Sequence, residues 1–172
     1  SAAVALSTQP PIIGRPLATE WIEITLGPGN TCPGFGTSTL LGVSAVVDVI
    51  DPNGAFVVDS FTGVTWNQNT ITIPHTAPGA NAPVIQNVTP QGGWVAGNYT
   101  VTIMYAFITP GQGGAILPCT TTHSVTVTPG CTDPLACNFN LLATVNNGSC
   151  NYFYGCMDPN ACNYNSNATC NA

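Results

Sequence analysis

The chain has 172 residues and very few charges: seven carboxylates against a single basic residue, Arg15, for a net charge of −6. Nucleic-acid binding and attachment to an anionic membrane surface both depend on clusters of Lys and Arg, so the composition excludes both. Only 5% of the residues are charged, against about 25% in a typical soluble protein. We therefore expect a surface covered by uncharged polar residues, by glycan or by other copies of the chain.

No transmembrane segment is predicted. The longest apolar stretch, residues 40–50, is too short to span a bilayer and contains Ser44 and Asp48. Residues 1–6 have neither the basic start nor the length of a signal peptide, so we expect a mature N-terminus. Eight cysteines favour an oxidising compartment, and we expect a secreted protein, extracellular or on the cell surface.

Residues 1–19 are predicted to form an extended, Pro-rich N-terminal arm. The prolines between residues 10 and 16 disfavour a helix. One interpretation is a flexible terminus. The other is an arm that adds a strand to a neighbouring subunit, because apolar side chains such as Val4 and Ile12 are unfavourable in water.

Residues 20–129 are predicted to form an all-β domain. The clearest strand alternates, with Tyr99, Val101 and Ile103 on one face and threonines on the other. About seven strands in a hundred residues are typical of an antiparallel β-sandwich. The predicted strands are 20–26, 40–50, 55–61, 71–73, 84–88, 99–107 and 123–128.

The segment Gly97-Asn98-Tyr99 resembles the entry to the penultimate strand of immunoglobulin-like domains, where a tyrosine closes the corner. The resemblance implies an immunoglobulin-like sandwich. Antibody-type domains would have a cysteine at Val101, so their inter-sheet disulfide is missing. Cys32 and Cys119 are expected just outside strands, and a bond between these two loops is the preferred pairing.

A hairpin is predicted at the Asp-Pro-Asn-Gly turn of residues 51–54. With a two-residue turn Asp48 would oppose Asp59, and a calcium ion could relieve the repulsion between their carboxylates. A longer, bulged turn separates the two residues and leaves solvated carboxylates. No other cofactor or metal is predicted.

Residues 130–172 are predicted to be a small disulfide-rich module of two tandem repeats. Residues 130–140 read Gly-Cys-Thr-Asp-Pro-Leu-Ala-Cys-Asn-Phe-Asn, and 25 positions later residues 155–165 read Gly-Cys-Met-Asp-Pro-Asn-Ala-Cys-Asn-Tyr-Asn. Asp-Pro in each copy is a helix-start signal. Cys150 and Cys170 are taken as the third cysteine of each copy, which requires the second copy to lack the equivalents of residues 145–149.

The six cysteines of the repeats are predicted to form disulfides that replace a core. Three cysteines per copy is an odd number, so at least one bond must leave its copy; the sequence does not choose among the pairings. Zinc is disfavoured, because Cys-x5-Cys is longer than a zinc knuckle and both histidines lie outside the repeats. The predicted disulfide cysteines are Cys131, Cys137, Cys150, Cys156, Cys162 and Cys170, together with Cys32 and Cys119.

The repeat resembles a Cys-rich unit of the form Gly-Cys-Thr-Asp-Pro-x-Ala-Cys-Asn-Tyr…Ala-Thr…Asp-Asp-Gly-Ser-Cys. That unit is found along secreted surface proteins of environmental bacteria, notably Bacteroidetes, and of some aquatic eukaryotes. The resemblance covers about a quarter of the chain and implies an extracellular stalk, spacer or adhesin. This chain has Asn146-Asn147 where the unit usually has Asp-Asp.

Four Asn-x-Ser/Thr sequons mark candidate glycosylation sites in a secreted protein. Pro90 disfavours the first of them. The four are Asn87, Asn98, Asn147 and Asn167.

No catalytic site is predicted. Glu20 and Glu23 make a poor glycosidase pair on a strand, and His123 shares a strand face with two valines, which favours a structural role. Sequences such as Gly-x-Ser-x-Gly or His-Glu-x-x-His are not found. We therefore do not expect an enzyme.

The leading hypothesis is a secreted structural protein: a subunit of an extracellular filament or surface assembly, homo-oligomeric through the N-terminal arm and the faces of the sandwich. One alternative is a cell-surface adhesin or glycan-binding module, in which Trp21, Trp66 and Trp94 are candidate stacking platforms. Another is a decoration protein of a virus particle.

Overall fold

The structure, a computed structural model, describes residues 4–7, 20–26, 42–73, 84–108 and 116–171. The described part is all-β and contains no helix. Its nine strands are β1 Val4–Ser7, β2 Trp21–Leu26, β3 Gly42–Ile50, β4 Asn69–Ile73, β5 Val84–Val88, β6 Gly97–Ile108, β7 Ile116–Val127, β8 Pro129–Gly130 and β9 Val145–Asn146.

The first seven strands form two sheets, and β8 and β9 form a third. The three-stranded sheet has the order β1-β2-β5 and the four-stranded sheet the order β4-β3-β6-β7. Strands β1 and β5 pair antiparallel with β2, and β4 and β6 pair antiparallel with β3. The chain divides into unit 1, Ser1–Gly93 with Gly97–Thr126, and unit 2, Trp94–Ala96 with Val127–Ala172.

The core of unit 1 comes from alternating residues of long strands. On β6 the side chains of Tyr99, Val101, Ile103 and Tyr105 are all fully buried, as the alternation predicts. On β2 the burial is denser, because Trp21 is buried as well as the predicted face of Ile22, Ile24 and Leu26. The β-branched and aromatic residues of these strands therefore build the interior that supports the surface loops.

The first described residues of the predicted arm form strand β1, which pairs with β2 of the same chain. Val4 pairs with Ile24 and Ser7 with Trp21 along the antiparallel ladder of β1 and β2, and the Val4 side chain is buried. Pairing with the chain's own β2 differs from the expectation of pairing with a neighbour. The remainder of the arm, 8–19, lies outside the described residues.

The segment after the first turn is not the continuous strand that the sequence predicts for residues 55–61. Asp51 N–H donates to Ala55 O at 2.8 Å, and Ile50 bridges Phe56, so the turn is the longer form. The chain turns again at Asp59, whose N–H donates to Val64 O at 2.9 Å. Isolated bridges therefore replace a strand.

Strand β7 begins earlier than the predicted 123–128. It runs from residue 116 and so contains Cys119, which the sequence places in a loop. The Cys119 side chain and the whole of Cys32 lie outside what the structure describes, and so does their predicted disulfide.

Candidate functional site

The two copies of the repeat in unit 2 share one hydrogen-bond pattern. The Asp133 carboxylate accepts from Leu135 N at 2.9 Å, and Asp158 accepts from Asn160 N at the same distance. Each Asp carbonyl then accepts from the Ala three residues later at 3.0 Å. The prediction that a helix begins at each Asp-Pro is wrong. Each Asp caps a single turn, and the chain leaves that turn before a helix forms.

A glycine at the start of each copy allows the chain to close on itself. A Cβ atom on Gly130 would lie 2.9 Å from the Ala143 side chain, and one on Gly155 would lie 2.9 Å from the Asn165 side chain. Separations below 3.0 Å require a neighbour to move. The repeated glycine is therefore a packing requirement, which the sequence shows only as an identity.

The hydrogen bonds also correct the alignment of the second copy. Thr144 N donates to Thr128 O at 2.8 Å, and 25 residues later Thr169 N donates to Phe153 O at 2.7 Å. Next in order, Val145 N and Cys170 N donate to the same two carbonyls at 3.5 and 3.4 Å. Cys170 is therefore the counterpart of Val145 rather than of Cys150, and no five-residue deletion precedes it.

Two disulfides hold the repeats. Cys131–Cys150 closes a loop within the first copy, with 4.8 Å between Cα atoms. Cys137–Cys170 joins the first copy to the second, with 5.5 Å between Cα atoms and a sequence separation of 33. One of the bonds thus leaves its copy, as the odd number of cysteines in each copy predicts.

Cys156 and Cys162 are free thiols, although the sequence predicts them in disulfides. By the 25-residue spacing Cys156 corresponds to Cys131 and Cys162 to Cys137, so two positions that are disulfide-bonded in the first copy are free in the second. Cys162 is exposed and Cys156 is partly covered.

Hydrogen bonds beside the Cys137–Cys170 disulfide hold Asn151 and Tyr152, the last residues before the second copy, and one of them reaches that copy. Cys137 N donates to Asn151 O at 2.8 Å, and Thr169 Oγ1 donates to Asn151 Oδ1 at 2.6 Å. The Tyr152 hydroxyl donates to Asp133 Oδ2 at 2.6 Å. This bond lowers the pKa of the Asp133 carboxyl and raises the pKa of the Tyr152 phenol above its usual value.

Unit 2 carries a large share of exposed apolar side chains. Leu141 is 83% exposed, Leu142 76% and Leu135 72%. The Tyr154 hydroxyl donates to Leu135 O, so this aromatic ring lies beside Leu135. The other exposed large hydrophobics of the unit are Phe139, Tyr152, Phe153, Met157 and Tyr164.

The four sequons occupy different environments. Asn147 and Asn167 are exposed on turns of the repeats. Asn98 is exposed at the start of β6, and its Oδ1 accepts from Thr126 Oγ1 at 2.7 Å. Asn87 is half-buried in β5.

Three aspartates near the first hairpin, Asp48, Asp51 and Asp59, each accept hydrogen bonds from backbone N–H groups. Asp51 Oδ1 accepts from Asn53 N at 2.8 Å, and Asp48 Oδ1 accepts from Gln68 N at 2.5 Å. Asp59 is 1% exposed and accepts from Thr62 and Thr89. The described residues contain no group of three potential metal ligands. The expectation of solvated carboxylates is wrong for Asp59, which acts as a buried clamp between two loops.

The remaining sequence-predicted residues are mostly structural. His123 Nε2 lies 3.0 Å from Thr121 Oγ1, and partial burial lowers the pKa of the imidazole. Trp21 and Trp66 are 1% and 5% exposed, so neither offers an open ring face, and Trp94 is half-buried.

Comparison of the chain with family models, with curated proteins and with solved structures gave no match. Over the part of the chain that the structure describes, no helix is long and apolar enough to cross a membrane.

Proposed function

We propose that the protein is a secreted structural subunit of an extracellular filament or surface assembly. The observation that carries the proposal is the exposed apolar surface of unit 2. Burying a leucine fully is favourable by about 1.5–3 kcal/mol, and Leu135, Leu141 and Leu142 are each more than 70% exposed. Exposed apolar surface in excess of what solubility allows marks interaction sites in soluble proteins.

The charge distribution supports a self-contact. Between residues 127 and 172 the only charged side chains are Asp133 and Asp158. Two copies of this unit can therefore approach each other with little repulsion and little desolvation of charge. The same scarcity of charge gives the isolated unit few means of staying apart from other copies.

Strand β1 supplies a second route to assembly. Strand β1 pairs with β2 over only four residues, and 13 residues, 8–20, separate the two strands in the sequence. The same ladder would form if β1 of one copy paired with β2 of another, because exchange preserves every contact. The proposed arm contact is thus an exchange of β1 between copies.

The proposal includes an immunoglobulin-like sandwich for unit 1 and an extracellular or cell-surface location for the protein. The two antiparallel sheets, the buried Tyr99 at the start of β6 and the seven strands of unit 1 support an immunoglobulin-like sandwich. The resemblance of the repeats to Cys-rich units of secreted surface proteins, together with two disulfides, supports an extracellular or cell-surface location.

Sedimentation velocity on natively purified protein tests the assembly. We expect species larger than the 17.7 kDa chain, and we expect Leu141→Ser with Leu142→Ser to reduce them strongly. Met104→Ser, at a residue that is 41% exposed in unit 1, is the matched control and should leave assembly unchanged. A monomer at high concentration would refute the proposal.

A disulfide trap tests the exchange of β1. Ala5 and Glu23 are register partners, so Ala5→Cys with Glu23→Cys should oxidise readily in a background with Cys156→Ser and Cys162→Ser. Exchange between copies gives cross-linked multimers on a non-reducing gel. If only cross-links within one chain form in material that is assembled, assembly does not use the arm.

A further inference from the structure

We propose that unit 1 contains a binding groove for a neutral oligosaccharide, located beside strands β4 and β5. The groove has a volume of about 650 Å³, within the usual range for small-molecule sites. Strand β4 is an edge strand of the four-stranded sheet, and β5 is an edge strand of the three-stranded sheet. The segment 61–68 completes the groove wall.

The polar part of the groove wall consists of carboxamides and hydroxyls. A carboxamide offers both a carbonyl acceptor and an NH₂ donor, so it can bind two neighbouring sugar hydroxyls at once. None of the lining side chains is charged. The polar lining residues are Thr62, Gln68, Asn69, Thr70, Gln86 and Asn87.

The apolar part of the groove wall consists of large side chains that are exposed to solvent. Phe61 is 56% exposed, Ile85 49% and Val64 43%. A pyranose ring has an apolar C–H face beside its hydroxyls, and aromatic rings bind such faces by stacking. An exposed Phe beside several carboxamides therefore matches both sides of a sugar ring.

Gln68 has a backbone conformation that costs free energy. Its φ is +53°, the left-handed region, and no other non-glycine residue in the described ranges has a positive φ. Such a residue is disfavoured by about 1–2 kcal/mol, and here the Asp48 carboxylate holds it through the Gln68 N–H. Strain of this kind is concentrated at functional sites, and Gln68 lies in the groove wall.

Trp66 contributes a buried donor to the same wall. Its side chain is 5% exposed, and the indole Nε1–H has no acceptor among the residues that the structure describes. A buried donor without a partner costs about 1–3 kcal/mol. Because the Trp66 side chain lines the groove, the indole N–H signal reports on a ligand that contacts this wall.

The lining also argues against charged ligands. An anionic ligand would need a cation, and none of the described lining residues is basic. A cationic ligand would need a carboxylate, and none of the described lining residues carries one. The carboxylate of Asp48, which lies outside the lining, accepts from the Gln68 backbone N–H. A neutral polyhydroxylated ligand satisfies the carboxamides without burying an unpaired charge.

NMR titration of the full ¹⁵N-labelled chain with neutral hexasaccharides tests the proposal. The probes are hexamers of glucose in α and β linkage, mannose, xylose and N-acetylglucosamine, with oligogalacturonate as an anionic control. We expect one or more neutral probes to shift the Trp66 indole N–H and the Gln68 and Gln86 side-chain amides, with Kd on the order of 0.1–1 mM. Oligogalacturonate should cause no such shifts.

Three variants sharpen the test. Phe61→Ala should weaken binding about tenfold, whereas Met104→Ala, at another exposed apolar residue that lies outside the groove wall, should have no effect. Gln68→Gly removes the side chain but suits a positive φ, so we expect equal or higher stability together with weaker binding.

Any of three results would overturn the proposal. The first is that no neutral probe shifts the groove signals at 10 mM, and the second is that binding survives both Phe61→Ala and Gln68→Gly. The third is that a peptide of residues 1–7 shifts the groove signals while the sugars do not, which would make the groove a site of strand addition. Loss of assembly does not affect this outcome, because the titration reports on unit 1 alone.

Discussion

Cys170 stands in the second repeat where Val145 stands in the first. Both residues donate their N–H to the carbonyl at the entrance of their own copy, from Val145 to Thr128 and from Cys170 to Phe153. Val145 is fully buried, whereas Cys170 carries the disulfide from Cys137. One backbone position therefore supports hydrophobic packing in the first copy and a covalent bond in the second.

Replacing Cys137 by Ser should loosen the second repeat. The disulfide spans 33 residues, and in the chain-entropy account such a loop contributes about 3–4 kcal/mol to stability. Hydrogen exchange should show lost protection at Thr169 and Cys170. Cys162→Ser is the matched control, since Cys162 is already free; equal effects of both variants would contradict the assignment.

Alkylation should distinguish the cysteines of unit 2. Cys162 is exposed and Cys156 partly covered, so native protein treated with iodoacetamide should be labelled first at Cys162 and then at Cys156. Peptide mass spectrometry checks the order. Label at Cys137 or Cys150 without reductant would mean that the disulfides are not those of the structure.

Gly130→Ala should destabilise the first repeat by about 1–3 kcal/mol, because the new Cβ would lie 2.9 Å from the Ala143 side chain. Adding Ala143→Gly removes the atom that it meets and should recover part of the loss. Thermal unfolding of the three proteins checks this prediction. The prediction fails if Gly130→Ala is as stable as the parent.

Asp59→Ala should cost roughly 3 kcal/mol or more, because it removes a buried carboxylate and leaves the Thr62 and Thr89 N–H groups without their acceptor. Asp51→Ala, at an exposed turn with two similar bonds, is the control and should cost about 1 kcal/mol. Urea unfolding separates the two. A smaller loss for Asp59→Ala than for Asp51→Ala would contradict the clamp.

The Asp133–Tyr152 hydrogen bond should depend on pH at both ends of the range. The pKa of Asp133 lies below its usual 3.8, so its contribution to stability is present above pH 3.8 and is lost as the pH falls through the lowered value. The pKa of Tyr152 lies above its usual 10.0, so the contribution is present below pH 10 and is lost as the pH rises through the raised value. Carboxyl ¹³C NMR should show the Asp133 pKa rising in Tyr152→Phe. No change would mean that the bond does not form in solution.

Local patterns predicted the parts of the fold that local chemistry decides. The alternation from Tyr99 to Tyr105 identifies a buried strand, because side chains on a strand alternate between faces. The turn at Asp59 and the pairing of β1 depend on partners far along the chain, Thr89 and β2, which no local pattern shows. The prediction that Cys170 corresponds to Cys150 is wrong, because the 25-residue spacing of the repeat places Cys170 at the position of Val145.

The groove could not be predicted from its residues. Phe61 and Gln68 come from one segment and Ile85 from another, and only the topology brings β4 and β5 to the same place. Trp66, a candidate stacking platform in the glycan-binding alternative, is buried, and the exposed ring that lines the same groove is Phe61. A positive φ at a glutamine has no sequence signal.

The Cys137–Cys170 disulfide also decides how the chain would respond to mechanical tension. A pull applied at Gly130 and at Asn171 passes along the backbone to Cys137 and then through the sulfur atoms to Cys170. The 32 residues between them carry none of the load, and roughly 110 Å of extended chain stays unavailable for stretching. A subunit with this connection would lengthen little under shear flow until a reductant reached the sulfur atoms.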